Sequence, residues 1–597
     1  MTSSKDKSAN KSKQGSSLTT SCKDINHYQD DLTGEKITPW LDDLPTLKQP
    51  ALGIPSLAAD HNLAANYTRS SSLHYGIMSG LPIEEQATWI IPAIRTLEKT
   101  PRLEAHDAKS ESYTSLFRGL VKSSGIYALS SLAAPLVSLV LTPFLTRNLS
   151  HTAYGVLAVL NTAIALLAGL TQFGLSTAFF RSYNYDYESQ KDRLGVLSTV
   201  VVLLSLSSLC AASITMLNAS WFSTLLFGNA SFSDAVGLAA LVVLLQNLTV
   251  PGFAWMRAEN RALFFSLLSI ATLVISLGAN IVLVGMMHMG IAGSLIATGC
   301  GYALVGICTL PVILLRAGLG LRFDIAGELL SFGLPNVSAF VSVWVLQLSD
   351  RFLLSRLGSL SQTASYSVAY SLGSVASVVV LSPFTLAWPL AQFTIAKRDN
   401  APNVFKLVFR WFSIVLLFAA FALTYASTAV LYLFFPPAYY SAASIIPIIV
   451  MSTVFYGVYT IFATGIAIRR KTWFAVLFTT LSALVNVGFN LILIPLYGSM
   501  GAALSTLLAY MLLAFIAYLI NQRIYPIPFE IGRFIVALLV GVALYVGSTF
   551  LAQGQTTYVA WGIYICALCL YGGCLALLGK FEMRKGDTKI GMHWRIL

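Results

Sequence analysis

Long apolar stretches recur through most of the chain and are separated by short polar connections. An α-helix needs about 20 apolar residues to cross a bilayer, and fourteen stretches from residue 125 onward approach or exceed that length. They lack the alternation over about ten residues that marks a membrane β-strand, so we predict helices. Numbered in chain order, the predicted segments are Gly125–Thr146, Tyr154–Leu175, Val196–Met216, Ala235–Trp255, Leu263–Gly285, Ile291–Leu315, Leu329–Leu348, Tyr366–Trp388, Trp411–Phe434, Ile445–Ile466, Trp473–Ile494, Gly501–Ile520, Phe534–Leu551 and Trp561–Leu578.

Segments 5 and 6 resemble segments 11 and 12. Each matching segment lies six helices after its counterpart, so the two halves of the chain run in the same direction through the membrane. Parallel halves related by an axis along the membrane normal occur in transporters, with the substrate site between the lobes. Chance similarity between two apolar stretches is the alternative. The paired residues are Phe264/Phe474, Leu267/Leu477, Gly278/Gly488, Asn280/Asn490, Gly290/Gly498, Gly293/Gly501 and Thr298/Thr506.

These patterns predict an all-α integral membrane protein with about 14 transmembrane helices, arranged as two parallel six-helix lobes plus two C-terminal helices. The start of the chain is polar and rich in Lys and Ser, and such a segment cannot bury enough apolar surface to fold. The predicted organisation is a cytoplasmic, largely disordered N-terminal tail over 1–124, an N-lobe over 125–315, a C-lobe over 329–520, two added helices over 534–578, and a cytoplasmic C-terminal tail over 579–597.

The composition excludes a water-soluble globular enzyme for most of the chain. Hydrophobic residues make up 56% of the 597 and charged residues 11%, with a mean hydropathy of +0.71, whereas soluble domains carry about 25% charged residues. The net charge of +12 indicates orientation rather than nucleic-acid binding, because cytoplasmic loops gather Lys and Arg. With the N-terminus inside, the inner loops hold 16 of these residues and the outer loops 3. We predict an integral protein of the cytoplasmic (inner) membrane with both termini in the cytoplasm.

Polar side chains recur on one face of several predicted segments. A polar group in hydrocarbon is costly unless it faces protein or water, so these faces indicate a hydrophilic cavity between the lobes. Hydrogen bonding between the helices of a bundle uses the same residue types and is the alternative. The predicted cavity-lining residues are Asn161, Gln172, Gln246, Asn336, Trp344, Gln347, Tyr366, Tyr370 and Trp388.

Charged residues are rare on the predicted outer side, where the basic ones are all arginines. The planar fork of an arginine matches phosphate oxygens, so they predict a site for an anionic headgroup such as a pyrophosphate. Asp350 precedes Arg351 near the predicted outer end of segment 7, where it would orient Arg351 or take part in proton or sodium coupling. An interfacial Asp350–Arg351 ion pair with snorkelling arginines is the alternative. The candidate substrate-binding cations are Arg147, Arg351 and Arg356, with Arg257 and Arg181 added from their helix positions.

Three stretches resemble the Wzx-type oligosaccharide flippases, the polysaccharide biosynthesis branch of the multidrug/oligosaccharidyl-lipid/polysaccharide (MOP) exporter superfamily. They are LVKSSGIYALSSLAAPLVSLVLTPFLTRNLSHTAYGVLAVLN from Leu120, which resembles the opening of these proteins, LSDRFLLSRLGSLSQTASYSVAYSLG from Leu348, which resembles their seventh-to-eighth helix region, and NLILIPLYGSMGAALSTLLAY from Asn490, which resembles their eleventh-to-twelfth. The resemblance covers residues 120–580 in the right order. The N-terminal tail departs from it, because members of the family usually start close to the first helix.

The resemblance implies two lobes around a central cavity that move a polyprenyl-diphosphate-linked oligosaccharide between leaflets by alternating access, for surface polysaccharide biosynthesis. The family often lines that cavity with cations, and Arg147, Asp350 and Arg351 lie in the matching motif regions. The implied partners are the lipid-linked oligosaccharide, membrane lipids, and a polysaccharide polymerase with other assembly proteins. We expect no cofactor or metal beyond proton or sodium coupling, and no nucleic acid.

Two other classes stay open. A multidrug or small-metabolite cation antiporter of the same superfamily would carry acidic residues embedded in its N-lobe, and segments 1 to 6 have none in their cores. An integral-membrane glycan polymerase or ligase would need carboxylates or histidines on a large outer loop. In the longest such loop, Leu217–Asp234, Asp234 is the only ionisable side chain. Since no HExxH, P-loop or nucleotide-binding glycine motif occurs either, we predict a transporter and not an enzyme.

Overall fold

A computed structural model describes residues 137–580. The predicted N-terminal tail, the first part of segment 1 and nearly all of the C-terminal tail lie outside the described residues. Within this range the chain is helical without a strand, and thirteen helices are long and apolar enough to cross a membrane. The all-α membrane fold expected from the sequence is therefore confirmed.

The helices are labelled after the predicted segments, so residues 137–148 are the described part of α1. Each of segments 2 to 14 is a helix, and most extend a few residues past their predicted ends. The spans are α2 His151–Thr171, α3 Gln190–Leu217, α4 Ser233–Ala258, α5 Ala262–Met286, α6 Gly290–Ala317, α7 Phe323–Leu357, α8 Leu360–Ala396, α9 Ala401–Phe434, α10 Ile446–Ile468, α11 Trp473–Tyr497, α12 Ser499–Ile524, α13 Ile531–Ala552 and α14 Thr557–Gly579.

Several spans are less regular than the apolar pattern alone predicts. After α2 the chain turns at Gly174, whose φ of 66° lies in the left-handed region that glycine adopts readily, and Leu175–Arg181 continues as a separate helix. A π-helical turn ends α5 at Ile281–Met286, and another interrupts α8 at Ser377–Leu381. A short helix, Ala219–Phe227, lies in the longest predicted outer loop.

The helices α2 and α8 begin with the same cap. Ser150 Oγ and Ser359 Oγ each accept a hydrogen bond from the backbone N–H three residues on, at 3.2 Å. A capping serine satisfies one of the N–H groups that a helix start leaves without a partner. An arginine stands three residues before each serine, Arg147 and Arg356 respectively. The internal repeat therefore extends to the first two helices of each lobe.

The two lobes repeat the same packing. In the N-lobe α6 packs on α4 and α5, and in the C-lobe α12 packs on α10 and α11. The lobes meet along α2, which lies against α7 and α8. At this contact a Cβ on Gly155 would stand 2.0 Å from the carbonyl oxygen of Leu360, so only glycine allows the two backbones to approach this closely.

Three of the loops predicted to face the cytoplasm lie together. Tyr183 OH donates to Glu259 at 2.6 Å, which joins the α2–α3 and α4–α5 connections. Arg322, in the α6–α7 connection, pairs with Asp192 at the start of α3 at 2.7 Å. This grouping agrees with the predicted alternation of inner and outer loops, while the assignment of this face to the cytoplasm stays a prediction from charge.

Candidate functional site

Asp350 on α7 is the centre of a buried hydrogen-bond network in the C-lobe, with a residue exposure of 0%. Tyr366 OH of α8 and Thr506 Oγ1 of α12 donate to its Oδ2 atom at 2.7 Å and 2.6 Å. Asn490 Nδ2 of α11 donates to Oδ1 at 2.7 Å. Four helices of one lobe thus converge on a single carboxylate. Taking a carboxylate out of water costs several kcal/mol, and these three neutral donors offset part of that cost.

The structure places Asp350 further inside α7 than the predicted segment end suggests. Because α7 continues to Leu357, Asp350 lies seven residues, or about 10 Å, from the helix end. The alternative interpretation, an ion pair between Asp350 and Arg351, is not found among the ion pairs of the described residues. Consecutive residues of a helix point about 100° apart, which directs the two side chains to different neighbours.

A stripe of polar side chains on α11 extends the network. Ser482, Asn486 and Asn490 follow at intervals of four on one helix face, and each has a residue exposure of 0%. Asn490 Nδ2 also donates to Asn486 Oδ1 at 3.0 Å. In the described part of the chain, Asn490 Oδ1, Asn486 Nδ2 and Ser482 Oγ are buried without a hydrogen-bond partner. Because buried polar atoms are nearly always hydrogen-bonded, this stripe points to a bound ion or water.

Arg351 lies beside the network, inside the C-lobe, with a residue exposure of 8%. Its guanidinium carbon stands 4.4 Å from the centre of the Tyr370 ring, and Nη1 donates to the Gln347 carbonyl oxygen at 3.3 Å. The ring face attracts the cation electrostatically. Of the three arginines predicted for the outer side, Arg351 is the one that the structure buries.

A small cavity of about 20 Å³ lies beside Gln347, one helical turn from Arg351. Its polar wall consists of Gln347, Thr479 and three tyrosines, Tyr456, Tyr459 and Tyr510. Gln347 was a predicted cavity-lining residue, whereas the other four were missed. The tyrosines lie on α10 and α12, where an aromatic residue in an apolar span is ordinarily a core residue, so the sequence carried no signal for them.

Arg147 and Arg356 do not join Arg351 but lie at contacts between the lobes. Arg147 Nε, at the end of α1, donates to the Phe434 carbonyl oxygen at the end of α9 at 2.9 Å. Arg356 Nη1, near the end of α7, donates to the Thr224 carbonyl oxygen in the short outer-loop helix at 3.1 Å. Each arginine therefore reaches from its own lobe to a carbonyl group of the other lobe.

Arg181 and Arg257 lie far from Arg351. The Arg181 guanidinium carbon stands 4.7 Å from the centre of the Phe332 ring, and nineteen residues of α7 separate Phe332 from Arg351, about 28 Å along the axis. Arg257 lies over the Phe180 ring at 5.2 Å. The five predicted cations thus have separate surroundings, and the structure does not assemble them into one anion site.

Several predicted cavity residues instead link neighbouring helices. Hydrogen bonding between helices was the alternative interpretation of the polar faces, and in this conformation it accounts for these residues. Asn161 is exposed, Gln246 Oε1 is buried without a partner among the described residues, and Tyr366 belongs to the Asp350 network. The linking hydrogen bonds run from Gln172 Nε2 to Asn247 Oδ1 at 3.0 Å, from Asn336 Nδ2 to Thr177 Oγ1 at 3.2 Å, from Trp344 Nε1 to the Thr162 carbonyl oxygen at 3.2 Å, and from Trp388 Nε1 to Thr464 Oγ1 at 3.2 Å.

Comparisons with known proteins agree with this architecture. Residues 144–386 match the family model described as polysaccharide biosynthesis protein. The fold is similar to that of the lipid II flippase MurJ in an inward closed conformation, with a TM-score of 0.59, 16% identity, and coverage of 75% of this chain and 99% of that chain. A multidrug resistance MATE family transporter of the MOP superfamily, in an inward-facing conformation, is similar with a TM-score of 0.48, 15% identity, and coverage of 66% and 93%.

A curated relative is the uncharacterized membrane protein MJ1068 of Methanocaldococcus jannaschii, 23% identical over 263 residues. That match covers 43% of this chain and 51% of the relative, so it spans about half of the relative's length. The resemblance to polysaccharide biosynthesis proteins seen in the sequence is confirmed over residues 144–386, and the helical fold is similar to that of the lipid II flippase MurJ.

Proposed function

We propose that this protein moves a polyprenyl-diphosphate-linked oligosaccharide between the two leaflets of the cytoplasmic membrane by alternating access. The observation that carries the proposal is the tyrosine-lined cavity beside the buried Arg351, in a body with a flippase fold. The polysaccharide biosynthesis family match supports it. Both termini face the cytoplasm, and enzymes of polysaccharide assembly take up the lipid on the other side.

Arg351 is the group we assign to the anionic end of the headgroup. A guanidinium offers paired N–H donors in the geometry of phosphate oxygens, and burial strengthens that interaction. In this conformation the Arg351 side chain lies against Tyr370 and the Gln347 carbonyl group. When the lobes move, Arg351 exchanges these contacts for the diphosphate, so the cation always has a partner. Arg181 and Arg257, at the other end of the lobe contact, attract the same diphosphate on the cytoplasmic side.

The cavity wall is assigned to the sugars. Tyr456, Tyr459 and Tyr510 combine apolar ring faces with hydroxyl groups, and Gln347 and Thr479 add further hydrogen-bonding atoms. Its volume of about 20 Å³ is enough for about one water molecule. This conformation is therefore closed to an oligosaccharide headgroup, and the surrounding helices must move apart before the sugars enter.

The Asp350 network is assigned to ion coupling, by a proton or a sodium ion. Asp350, Tyr366, Asn490 and Thr506 place carboxylate, hydroxyl and amide oxygens together, and hard cations prefer oxygen ligands. The unpaired Asn490 Oδ1 atom supplies a further acceptor. Binding of a cation neutralises the carboxylate, so the buried network is less costly in the loaded state than in the empty state. That difference is what couples the ion to a change of conformation.

The test is removal of the gene, followed by analysis of lipid-linked glycans. We expect a polyprenyl-diphosphate oligosaccharide to accumulate on the cytoplasmic leaflet and the surface polysaccharide to disappear, and sugar analysis of the trapped lipid names the cargo. Complementation with wild type restores the surface glycan, while Arg351→Gln does so poorly. Normal surface glycan together with altered drug or metabolite efflux would instead place the protein with the cation antiporters.

A further inference from the structure

Two arginines share one buried tryptophan at the inner end of the N-lobe, on the face predicted to be cytoplasmic. The guanidinium carbons of Arg261 and Arg316 stand 4.9 Å and 5.5 Å from the centre of the Trp255 ring. Trp255 is buried, whereas both arginines are exposed. Because an indole ring attracts cations electrostatically, Trp255 holds the two guanidinium groups near each other at the surface of the lobe.

The turn between α4 and α5 directs Arg261 to this ring. Asn260 has a φ of 59°, in the left-handed region that asparagine tolerates better than most residues. The backbone N–H of Arg261 donates to the Met256 carbonyl oxygen at 2.8 Å, so the chain reverses over the last turn of α4, where Trp255 lies. Arg316 reaches the same ring from the last turn of α6, which packs against α4.

Neither arginine forms an ion pair with another described residue. The acidic residue of this turn, Glu259, instead accepts a hydrogen bond from Tyr183 OH at 2.6 Å. Two like charges beside one ring repel each other, and an anion that contacts both removes that repulsion. The pair of arginines is therefore suited to an anionic ligand.

The surface next to this pair is apolar. The helix α5 packs against α4 and α6, and it exposes the side chains of Leu263 and Leu267. On α6, Leu315 is exposed directly before Arg316. Apolar side chains that are exposed on a transmembrane helix face acyl chains, while arginines at its end lie at the level of the headgroups. A ligand that contacts both the arginines and these leucines is therefore a lipid.

We propose that Arg261 and Arg316 bind the phosphate of one anionic phospholipid in the adjacent leaflet, with its acyl chains along α5 and α6. The guanidinium fork matches phosphate oxygens, and basic pockets between transmembrane helices bind anionic headgroups on the cytoplasmic side. This site lies on the N-lobe, whereas the Arg351 cavity lies in the C-lobe. The proposal therefore does not depend on the transported cargo.

The test is a binding titration of the purified full-length protein with palmitoyl-oleoyl phosphatidylglycerol, measured by native mass spectrometry. We expect one molecule to bind about tenfold more tightly than the matching phosphatidylcholine, because the choline group of that lipid neutralises its phosphate. The double variant Arg261→Gln/Arg316→Gln should lose this preference. The single variant Arg316→Gln should lose part of it and serves if the double variant misfolds.

The matched control is Arg470→Gln/Lys471→Gln in the corresponding turn of the C-lobe, between α10 and α11. Arg470 has a φ of 57°, and the Lys471 N–H donates to the Ile466 carbonyl oxygen at 3.0 Å, so the backbone geometry is that of the N-lobe turn. Gly465 stands there at the repeat position of Trp255. The control removes two exposed charges that share no such ring, and we expect it to keep the preference for phosphatidylglycerol.

Three results would overturn the proposal. An equal loss of preference in both double variants would show that general surface charge explains the binding. Equal binding of the two lipids by wild type would show no selectivity for an anionic headgroup. Full displacement of phosphatidylglycerol by inorganic phosphate at the same concentration would show a free-anion site and not a lipid site.

Discussion

The two lobes carry an asparagine at the same repeat position, Asn280 in α5 and Asn490 in α11, yet the two amides have different surroundings. Both residues are fully buried. Asn490 Nδ2 donates to the carboxylate of Asp350 at 2.7 Å. Asn280 Nδ2 donates to the Ser276 carbonyl oxygen of its own helix at 2.8 Å, and its Oδ1 has no partner among the described residues.

The difference comes from the first helix of each lobe. In the C-lobe α7 brings Asp350 to the asparagine, whereas the described part of α1, residues 137–148, contains no acidic residue. The repeat threonines differ in the same way, since Thr506 donates to Asp350 at 2.6 Å and Thr298 to the Ser294 carbonyl oxygen at 3.0 Å. The parallel repeat thus reproduces the helix packing in both lobes, whereas the carboxylate that these side chains bind is present in the C-lobe.

The largest effect is expected from Asp350→Asn, which removes the charge and keeps the size of the side chain. Hydrogen bonds to a charged group contribute about 1.5–3 kcal/mol, which corresponds to a loss of ion-driven transport of about tenfold to 100-fold. The measurement is transport by protein in liposomes under a sodium gradient and, separately, under a pH gradient. The gradient whose effect disappears identifies the coupling ion. Unchanged dependence on both gradients would contradict the coupling role.

The second prediction compares Asn490→Ala with Asn280→Ala, and so tests the difference between the two lobes directly. Loss of a bond to the buried carboxylate should cost about 2 kcal/mol of unfolding free energy, and loss of a bond to a backbone carbonyl about 1 kcal/mol. Denaturant unfolding in detergent micelles measures both. Asn490→Ala should also reduce ion-dependent transport, and Asn280→Ala should leave it unchanged. Equal losses of transport would show that the two lobes share the ion chemistry.

Arg351→Gln should lower transport by about tenfold, because a neutral amide keeps one donor but loses the charge that pairs with phosphate. Arg147→Gln is the matched change at an exposed position of the other lobe, and we expect transport to fall by less than about threefold. The readout is the initial rate of lipid translocation at equal amounts of inserted protein. A wild-type rate for Arg351→Gln would refute the anionic-headgroup assignment, and so would an equal fall in the rates of both variants.

The smallest effect is expected at the reciprocal contacts of Arg147 and Arg356. Each contact is a hydrogen bond to a carbonyl group of the other lobe, worth about 0.5–1.5 kcal/mol at most. Arg147→Gln/Arg356→Gln should therefore speed hydrogen–deuterium exchange at the start of α2 and at the α7–α8 turn by about threefold to tenfold. Unchanged exchange at both places would show that these arginines do not hold the lobes together.

The sequence alone was enough to predict the repeat and the thirteen membrane-length helices found among residues 137–580. A span must satisfy its backbone hydrogen bonds internally and bury about 20 apolar residues in lipid, and both requirements can be read locally. The repeat was visible at Gly290/Gly498 and Asn280/Asn490 for the same reason, because close backbone contacts and buried amides restrict residue type. Asp350 stood out as an acidic residue near the predicted outer end of segment 7. Its network partners Asn490 and Thr506 were already singled out as repeat residues, but not as its hydrogen-bond donors.

What only the tertiary structure decided is which polar groups meet. The partners of Asp350 lie 16 to 156 residues away in the chain, on other helices. The apolar pattern barely constrains how each of these helices is rotated about its axis. The same limit hid the tyrosine wall, the contacts of Arg147 and Arg356 with the other lobe, and the pair of arginines at Trp255. Lipid solvates every apolar face of a span alike, so hydropathy determines that a helix crosses the membrane. Close packing between helices determines which of its faces turns inward.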